Sequence, residues 1–188
     1  MSHSLTASNI INVAQELLQT QGYHAFSYRD LSQRIGIKTS SIHYHFPTKA
    51  DLVKAVLLSY HKIFLQKLDE LNKGTSAKQK LMAYANMFVE TFNKGGRICL
   101  CASLASDLEG LPKEIRAGVC LFIDTHEAWL TEVIQEGIET GEFRECGDLK
   151  QNARNIFHTF EGAMLVARTS SVDRIEDAGR WVLILLTS

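Results

Sequence analysis

Residues 27–52, SYRDLSQRIGIKTSSIHYHFPTKADL, read as two short helices joined by a tight turn and followed by the start of a longer helix. Ser27 is placed to cap the first helix, with Asp30 three positions on to return the capping bond. Leu31, Ile35 and Ile37 supply its apolar side. Gly36 falls where the chain has to reverse within a few residues, and a residue without Cβ accepts φ > 0 there. The second helix is expected from about Thr39 to Phe46, with Ile42 and Phe46 one turn apart on its apolar side and Pro47 ending it. Thr39, Ser40, Ser41, His43, Tyr44 and His45 then remain as a compact polar and aromatic outer face, with Lys49 just beyond. A generic surface helix would be richer in Glu and Lys. This composition suits a helix lying in a DNA groove.

The flanking sequence is helical throughout. A first helix is expected over about Ala7 to Thr20, where Ile10, Ile11, Ala14, Leu17 and Leu18 form a stripe and Gly22 follows the end. A long helix runs from about Lys49 to Asn72 and stops at Lys73-Gly74. Ser76 and Gln79 make a capping-box pattern for the next, over about 77–93. After the Gly95-Gly96 break, CLCASLASDLEG reads as a short helix stopped by Gly110. Pro112 suits the first turn of a helix continuing to about Glu139. Asp148 is placed to cap one reaching about Arg168, and Ser171 to cap a last one ending RWVLILL. No alternating strand pattern, internal repeat or low-complexity tract interrupts this series. The fold class is all-α, with about nine helices.

Composition fits that class. The 188 residues are ample to bury a core, 45% are hydrophobic, and only two are proline; no 18-residue apolar run marks a membrane span. MSHSLTASN lacks the basic and apolar regions of a signal sequence, so a cytoplasmic protein without a membrane partner is expected. The formal charge is −1 overall, less basic than a binder of bulk nucleic acid. Its distribution is uneven. Residues 1–54 hold five Lys or Arg against three Asp or Glu and four of the seven histidines, leaving fifteen basic against eighteen acidic residues in the remainder. A mildly basic head on an acidic body is the result.

An amphipathic first helix ending QGYHAFSYRDLSQRIGI and followed by KTSSIHYHFPTKADLVKAVL resembles the N-terminal DNA-binding domain of TetR-family transcriptional regulators. The shared features are a glycine-aromatic pair after helix 1, a glycine in the turn, an aromatic end to the recognition helix, and a lysine opening helix 4. The resemblance spans about residues 8–58. One departure bears on the operator sequence: Thr39-Ser40-Ser41-Ile42-His43 stands where the family often has Lys-Gly-Thr-Leu-Tyr. The resemblance implies a three-helix helix-turn-helix DNA-binding domain over residues 1–52 and a helical effector-binding and dimerisation domain over 53–188. It further implies a repressor that binds a palindromic, double-stranded operator as a homodimer and is released by a small-molecule or thiol-reactive signal.

Thr39, Ser40, Ser41 and His43 are the candidates for base edges. Hydroxyls donate or accept, the Thr methyl can meet a thymine methyl, and His can donate to guanine. Lys49, Tyr44 and His45 are better placed for phosphates, and Ser27, Tyr28 and Arg29 for the adjacent backbone. No Arg, Asn or Gln stands on this helix for bidentate base pairing, so readout leans on hydroxyls, methyls and DNA shape. Two such heads are needed to span successive major grooves. The last two helices suit pairing: Phe157, Phe160, Gly162, Ala163 and Val166 on one, Trp181 and Leu185 on the other. Some of these belong to the chain's own core in any arrangement.

Sensing is expected in the C-terminal body. Cys99, Cys101, Cys120 and Cys146 form no CxxC pair and no zinc spacing, and no metal or cofactor is expected. Cys99 and Cys101, two apart on a helix, point about 200° away from each other and do not easily bridge. A thiol at a helix start, with Arg97 near, has its thiolate favoured. The segment resembles the corresponding helix of family members that respond to electrophiles and oxidants, the N-ethylmaleimide-repressor type, and the match falls on Cys99. The plain alternative is that these cysteines are small buried hydrophobes. The competing model is an apolar effector cavity, with Phe88, Phe92, Phe122, Trp129, Phe157 and Phe160 as walls and His126 as a polar anchor, though such stripes also make ordinary core. No nucleophile elbow, phosphate loop or metal motif points to an enzyme. A cysteine-dependent enzyme or a helical adaptor would leave the TSSIHYHFPTK face without a purpose.

Overall fold

Ser27 and Asp30 exchange both bonds of a capping box: the Ser27 N–H donates to the Asp30 carboxylate (2.6 Å), and Ser27 Oγ accepts from the Asp30 N–H (3.4 Å). This lowers the Asp30 pKa, chiefly through the Ser27 bonds. The computed structural model describes residues 2–187. Among them it contains nine α-helices, one 3-10 turn and no strand: α1 Ser2–Gln21, α2 Tyr28–Ile35, α3 Thr39–His45, α4 Lys49–Leu71, α5 Ala77–Phe92, α6 Leu100–Ser106, α7 Lys113–Glu139, α8 Leu149–Ala167 and α9 Asp173–Thr187. The all-α architecture is as the periodicity indicates. Three local readings differ. α1 starts at Ser2, since no proline or glycine stops it before Ala7. α3 ends at His45, because Phe46 turns to extended backbone (φ −135°, ψ 94°) ahead of Pro47. The Ser171 hydroxyl donates to the Asp173 carboxylate (2.9 Å) rather than capping a helix amide.

The chain forms two compact units. The first contains residues 1–63 and 100–122, so α6 and the start of α7 pack with the N-terminal helices. Its core includes Ile10, Leu17 and Leu18 of α1, Leu31 of α2, Ile42 of α3, Val53 and Val56 of α4, and Leu104 of α6, all buried. Ser103 Oγ donates to the Leu18 carbonyl at the end of α1 (2.6 Å), and the Tyr23 N–H donates to the Asp107 carboxylate (2.7 Å). The N-terminal helices therefore share their core with α6 and the start of α7.

The second unit contains residues 64–99 and 123–188. In it α5, α8 and α9 pack against one another. Ser76 and Gln79 cap α5 with a second capping box, and Asp148 caps α8 by accepting from the Gln151 N–H (3.0 Å). The Arg144 N–H and guanidinium donate to the Leu186 and Leu185 carbonyls (2.8 and 2.9 Å), satisfying the end of α9. Gly137 is a packing requirement: a Cβ there would overlap the Phe143 ring. Around Phe160 a ring cluster forms. Phe88 stacks on it (5.0 Å between centroids) and Tyr84 meets it edge-on (5.7 Å).

Candidate functional site

The turn between α2 and α3 is set by Gly36, whose αL backbone (φ 76°, ψ 31°) lets its N–H and that of Ile37 both return to the Ser32 carbonyl (2.9 and 3.2 Å). α3 leaves this turn with Ile42 fully buried. Its opposite side carries Ser40, His43 and Tyr44, all exposed, with Thr39, Ser41 and His45 half-buried. Tyr44 is 73% exposed, so its ring is not packed into the domain. Ser27 and Arg29 at the start of α2 are exposed as well. The face read from sequence is thus held on a rigid mount and open to a partner.

Two of the expected DNA contacts are turned inward. Tyr28 is buried, and its hydroxyl lies 2.8 Å from the Phe46 carbonyl and 2.6 Å from that of Thr48. It braces the α3–α4 corner. Burial, then the charge of Asp51 and Tyr23, pushes its pKa up to about 12. Lys49 is likewise engaged within the chain. Its ammonium donates to the Phe26 carbonyl (2.5 Å) and sits over the Phe26 and Tyr23 rings (4.2 and 4.8 Å from the centroids). Burial lowers its pKa, opposed by the charges of Asp107 and Asp30. Its head is committed to a carbonyl and two rings, which ties Lys49 to the α1–α2 loop. Lys49→Met should therefore lower stability by about 1 kcal/mol, the net worth of such a bond after desolvation. The salt slope of DNA binding should stay unchanged, where loss of a phosphate contact would flatten it by about one. Chemical denaturation and a salt titration of binding check both halves.

Sequence reading missed Lys38 and Thr48. Lys38 is exposed at the N-cap of α3. Thr48 caps α4: its hydroxyl and N–H donate to the Asp51 carboxylate (2.7 and 3.0 Å), and it accepts from the Asp51 N–H (3.1 Å). The T-K-A-D spacing is the signal that could have found this cap.

His43 has a defined neighbourhood. Its ring packs on Tyr28 (4.7 Å, 57°), and Nδ1 is 3.2 Å from the Pro47 carbonyl. A neutral His43 that donates through Nδ1–H offers Nε2 outward as an acceptor, suited to the amino group of adenine or cytosine; donation to guanine requires the protonated ring. His43→Ala should cost about 1–3 kcal/mol on a specific site and little on random DNA. Equal losses on both, measured by competition binding, would remove the base-reading role.

In the second unit the expected sensor residues separate into groups. Cys99 is 4% exposed; Cys101, assigned to the first unit, is fully buried, Cys146 half-buried and Cys120 exposed. Cys99 immediately precedes α6, and its N–H donates to Met164 Sδ (2.9 Å). Its thiol stands against the Glu161 carboxyl. Glu161 was not singled out from sequence, where FEGAM reads as a helix stripe. Phe88, His126, Trp129, Phe157 and Phe160 are buried and largely packed on one another, and Phe92 is half-buried. His126 stacks on Phe64 (3.8 Å, 10°) and its Nδ1 is 2.6 Å from the Tyr84 hydroxyl. Phe122 stacks on Tyr60 in the first unit (5.3 Å). Among the described residues no group of three His, Cys, Asp or Glu side chains is arranged to hold a metal, and no helix is long and apolar enough to cross a membrane.

The residues expected to pair two chains also divide. Phe157 and Phe160 are core, because their rings are enclosed by Tyr84, Phe88 and His126 of the same chain. Val166 (49%) and Trp181 (53%) are exposed, Gly162 faces open space, and Ala163 and Leu185 are half-buried. Leu165 and Ile184 extend this exposed apolar surface of α8 and α9.

Comparison with known proteins adds the following. Residues 10–56 match the family model of bacterial regulatory proteins of the tetR family, and residues 77–180, more than half of the chain, match that of the tetracyclin repressor-like C-terminal domain. The crystal structure of a TetR-family transcriptional regulator from Agrobacterium tumefaciens is 32% identical, covers 99% of this chain and 100% of its own, and superposes with a TM-score of 0.94. A TetR transcriptional regulator from Legionella pneumophila is 31% identical over 95% of each chain, with a TM-score of 0.85. The HTH-type transcriptional repressor NemR of Escherichia coli K12 is 22% identical over 92% of this chain and 89% of its own.

Proposed function

We propose that this chain, which belongs to the TetR family of bacterial regulatory proteins, is a cytoplasmic repressor that binds a palindromic operator as a homodimer and lets go when its C-terminal body is modified or occupied. Membership in the family makes it a non-catalytic, DNA-binding transcriptional regulator. The exposed polar and aromatic face of α3, mounted on buried Ile42 and Tyr28, carries the DNA-reading assignment. Ser40, Ser41, Thr39 and His43 serve base edges, and Lys38, Arg29, Ser27, Tyr44 and His45 the backbone. Pairing through Val166, Trp181 and Leu185, with Gly162 and Ala163 allowing close approach, would set two heads for successive major grooves.

The signal is proposed to enter at Cys99. A bulky group added inside a packed helical body cannot be absorbed in place. α4 is one continuous helix whose residues divide between the two units, so it can carry the resulting shift to the reading head. A population shift between two dimer states would then release DNA. A second reading, a non-covalent effector, is favoured by an open groove of about 470 Å³ in the second unit, floored by Leu68 and Trp129 and edged by Asp124 and Glu132. One experiment separates them. Gel shifts on fragments of DNA adjoining the gene are run with and without an electrophile, using wild type and Cys99→Ala. Retained affinity with lost response in Cys99→Ala supports the thiol route. Continued release by the variant rejects it in favour of the groove.

A further inference from the structure

We propose that the Glu161 carboxyl is the proton partner of Cys99, and that the two form an addition site for small, uncharged α,β-unsaturated aldehydes and ketones. The proposal rests on the thiol-sensing reading and gives that site a second reacting residue and a reactant class.

The Cys99 backbone is tied to α8 by its bond to Met164 Sδ, and Glu161 lies three residues earlier on that helix. Both Glu161 carboxyl oxygens are shut off from solvent and have no conventional hydrogen-bond partner. What faces them is the Cys99 thiol. From α5 the other acid of this cluster is Tyr84, whose hydroxyl is engaged with His126 of α7. Phe160 and Met164 beside it are buried. An ionised carboxylate without a cation or donors is costly in such surroundings. Burial first, then Cys99, pushes the Glu161 pKa well above the usual carboxylate range, which favours the neutral form that the missing hydrogen-bond donors also favour.

A neutral carboxyl presents an acceptor oxygen and an O–H donor side by side, so it can move two protons at once. The sulfur lone pair forms the S–C bond at the β-carbon, and the C=C π pair shifts toward the carbonyl as that oxygen takes up its own π pair. The thiol proton passes to the C=O oxygen of Glu161, while the Glu161 O–H proton passes to the oxygen of the reactant. The resulting enol returns to the carbonyl form by proton exchange with water. The net change is addition of S–H across C=C. Nothing is oxidised or reduced, and Glu161 ends neutral as it began. Because the thiol is not ionised beforehand, no isolated charge is created in the core. An anionic reactant would bring one, and is disfavoured.

The test uses the full-length protein and methyl vinyl ketone, with the adducts on Cys99 and on exposed Cys120 followed by mass spectrometry in the same sample. Between pH 6 and 8 a rate limited by a thiol's thiolate fraction rises about tenfold per unit, and exposed Cys120 is the internal reference for that behaviour. Wild-type Cys99 should be nearly flat over that range. Glu161→Gln, a neutral substitution for a neutral group, should slow Cys99 by about tenfold or more at pH 6.5. It should also give Cys99 the pH slope of Cys120, while Glu161→Asp keeps the flat profile. A merely structural role would not exchange one slope for the other. An unchanged Cys99 rate in Glu161→Gln, or a wild-type Cys99 slope already equal to that of Cys120, overturns the proposal and leaves thiol sensing standing. Cys99 that takes up no label while Cys120 does overturns both. Acrylate labelling Cys99 as readily as the ketone, each relative to Cys120, overturns the uncharged-reactant class.

Discussion

Val166→Glu is expected to give a folded monomer that no longer holds the operator. Val166 is about half exposed on the chain alone, so a charge there leaves each chain's own core intact. At a two-fold interface the same substitution appears twice, facing an apolar surface, and two unpaired carboxylates would be desolvated together. Losing the second head removes the gain of simultaneous engagement, so affinity should fall roughly 10²–10⁴-fold. Trp181→Glu should act alike, since Trp181 is exposed on α9. Sedimentation velocity reads the assembly, and circular dichroism shows that helix content is kept. Wild-type protein sedimenting as a monomer at micromolar concentration would reject the pairing.

Phe160→Ala should produce a different failure. The ring is fully buried and packed by Tyr84 and Phe88 of the same chain, so its removal leaves a cavity that the surrounding rings close only in part. The expected loss is about 3–5 kcal/mol, a large share of the about 5–15 kcal/mol that holds a typical protein folded. The melting temperature should drop by about 6–20 °C, compared at equal protein concentration because the dimer links stability to concentration. If Phe160 lay at the interface instead, the variant would keep its fold and dissociate, as Val166→Glu should. The two variants therefore test the division of α8 into core and exposed faces from opposite sides.

That division shows how far sequence patterns reach. Helical periodicity placed Phe157, Phe160, Gly162, Ala163 and Val166 on one helix, but a stripe does not say which partner covers it. Phe160 and Val166 lie about 1.7 turns apart on α8 and face different surroundings. The reading motif was more legible because its signals are local. Ser27 with Asp30, Gly36 in αL, Ile42 inward and Pro47 at the end each act within a few residues. Lys49 and Tyr28 escaped because the Cα position of a long side chain does not reveal where its head goes; both ends find backbone carbonyls of neighbouring elements. The bond from Tyr23 to Asp107 joins positions 84 apart in sequence, and no local pattern announces it. Glu161 was hidden for a related reason. A glutamate on an amphipathic helix reads as solvated, and only the fold turns its carboxyl toward Cys99.

The central claim is that α3 of a homodimer reads a specific two-fold DNA site. Its most direct measurement is a footprint on DNA adjoining the gene, in excess non-specific competitor, with the protein-to-site ratio read by sedimentation of the same complex. The account predicts protection of two inverted half-sites whose centres lie about one helical turn, roughly 34–36 Å, or a whole multiple of it, apart. Protein should be bound in pairs, and His43→Ala should weaken both half-sites equally. Protection that competitor abolishes as readily as on random DNA, or a single half-site held by one protomer, would contradict it.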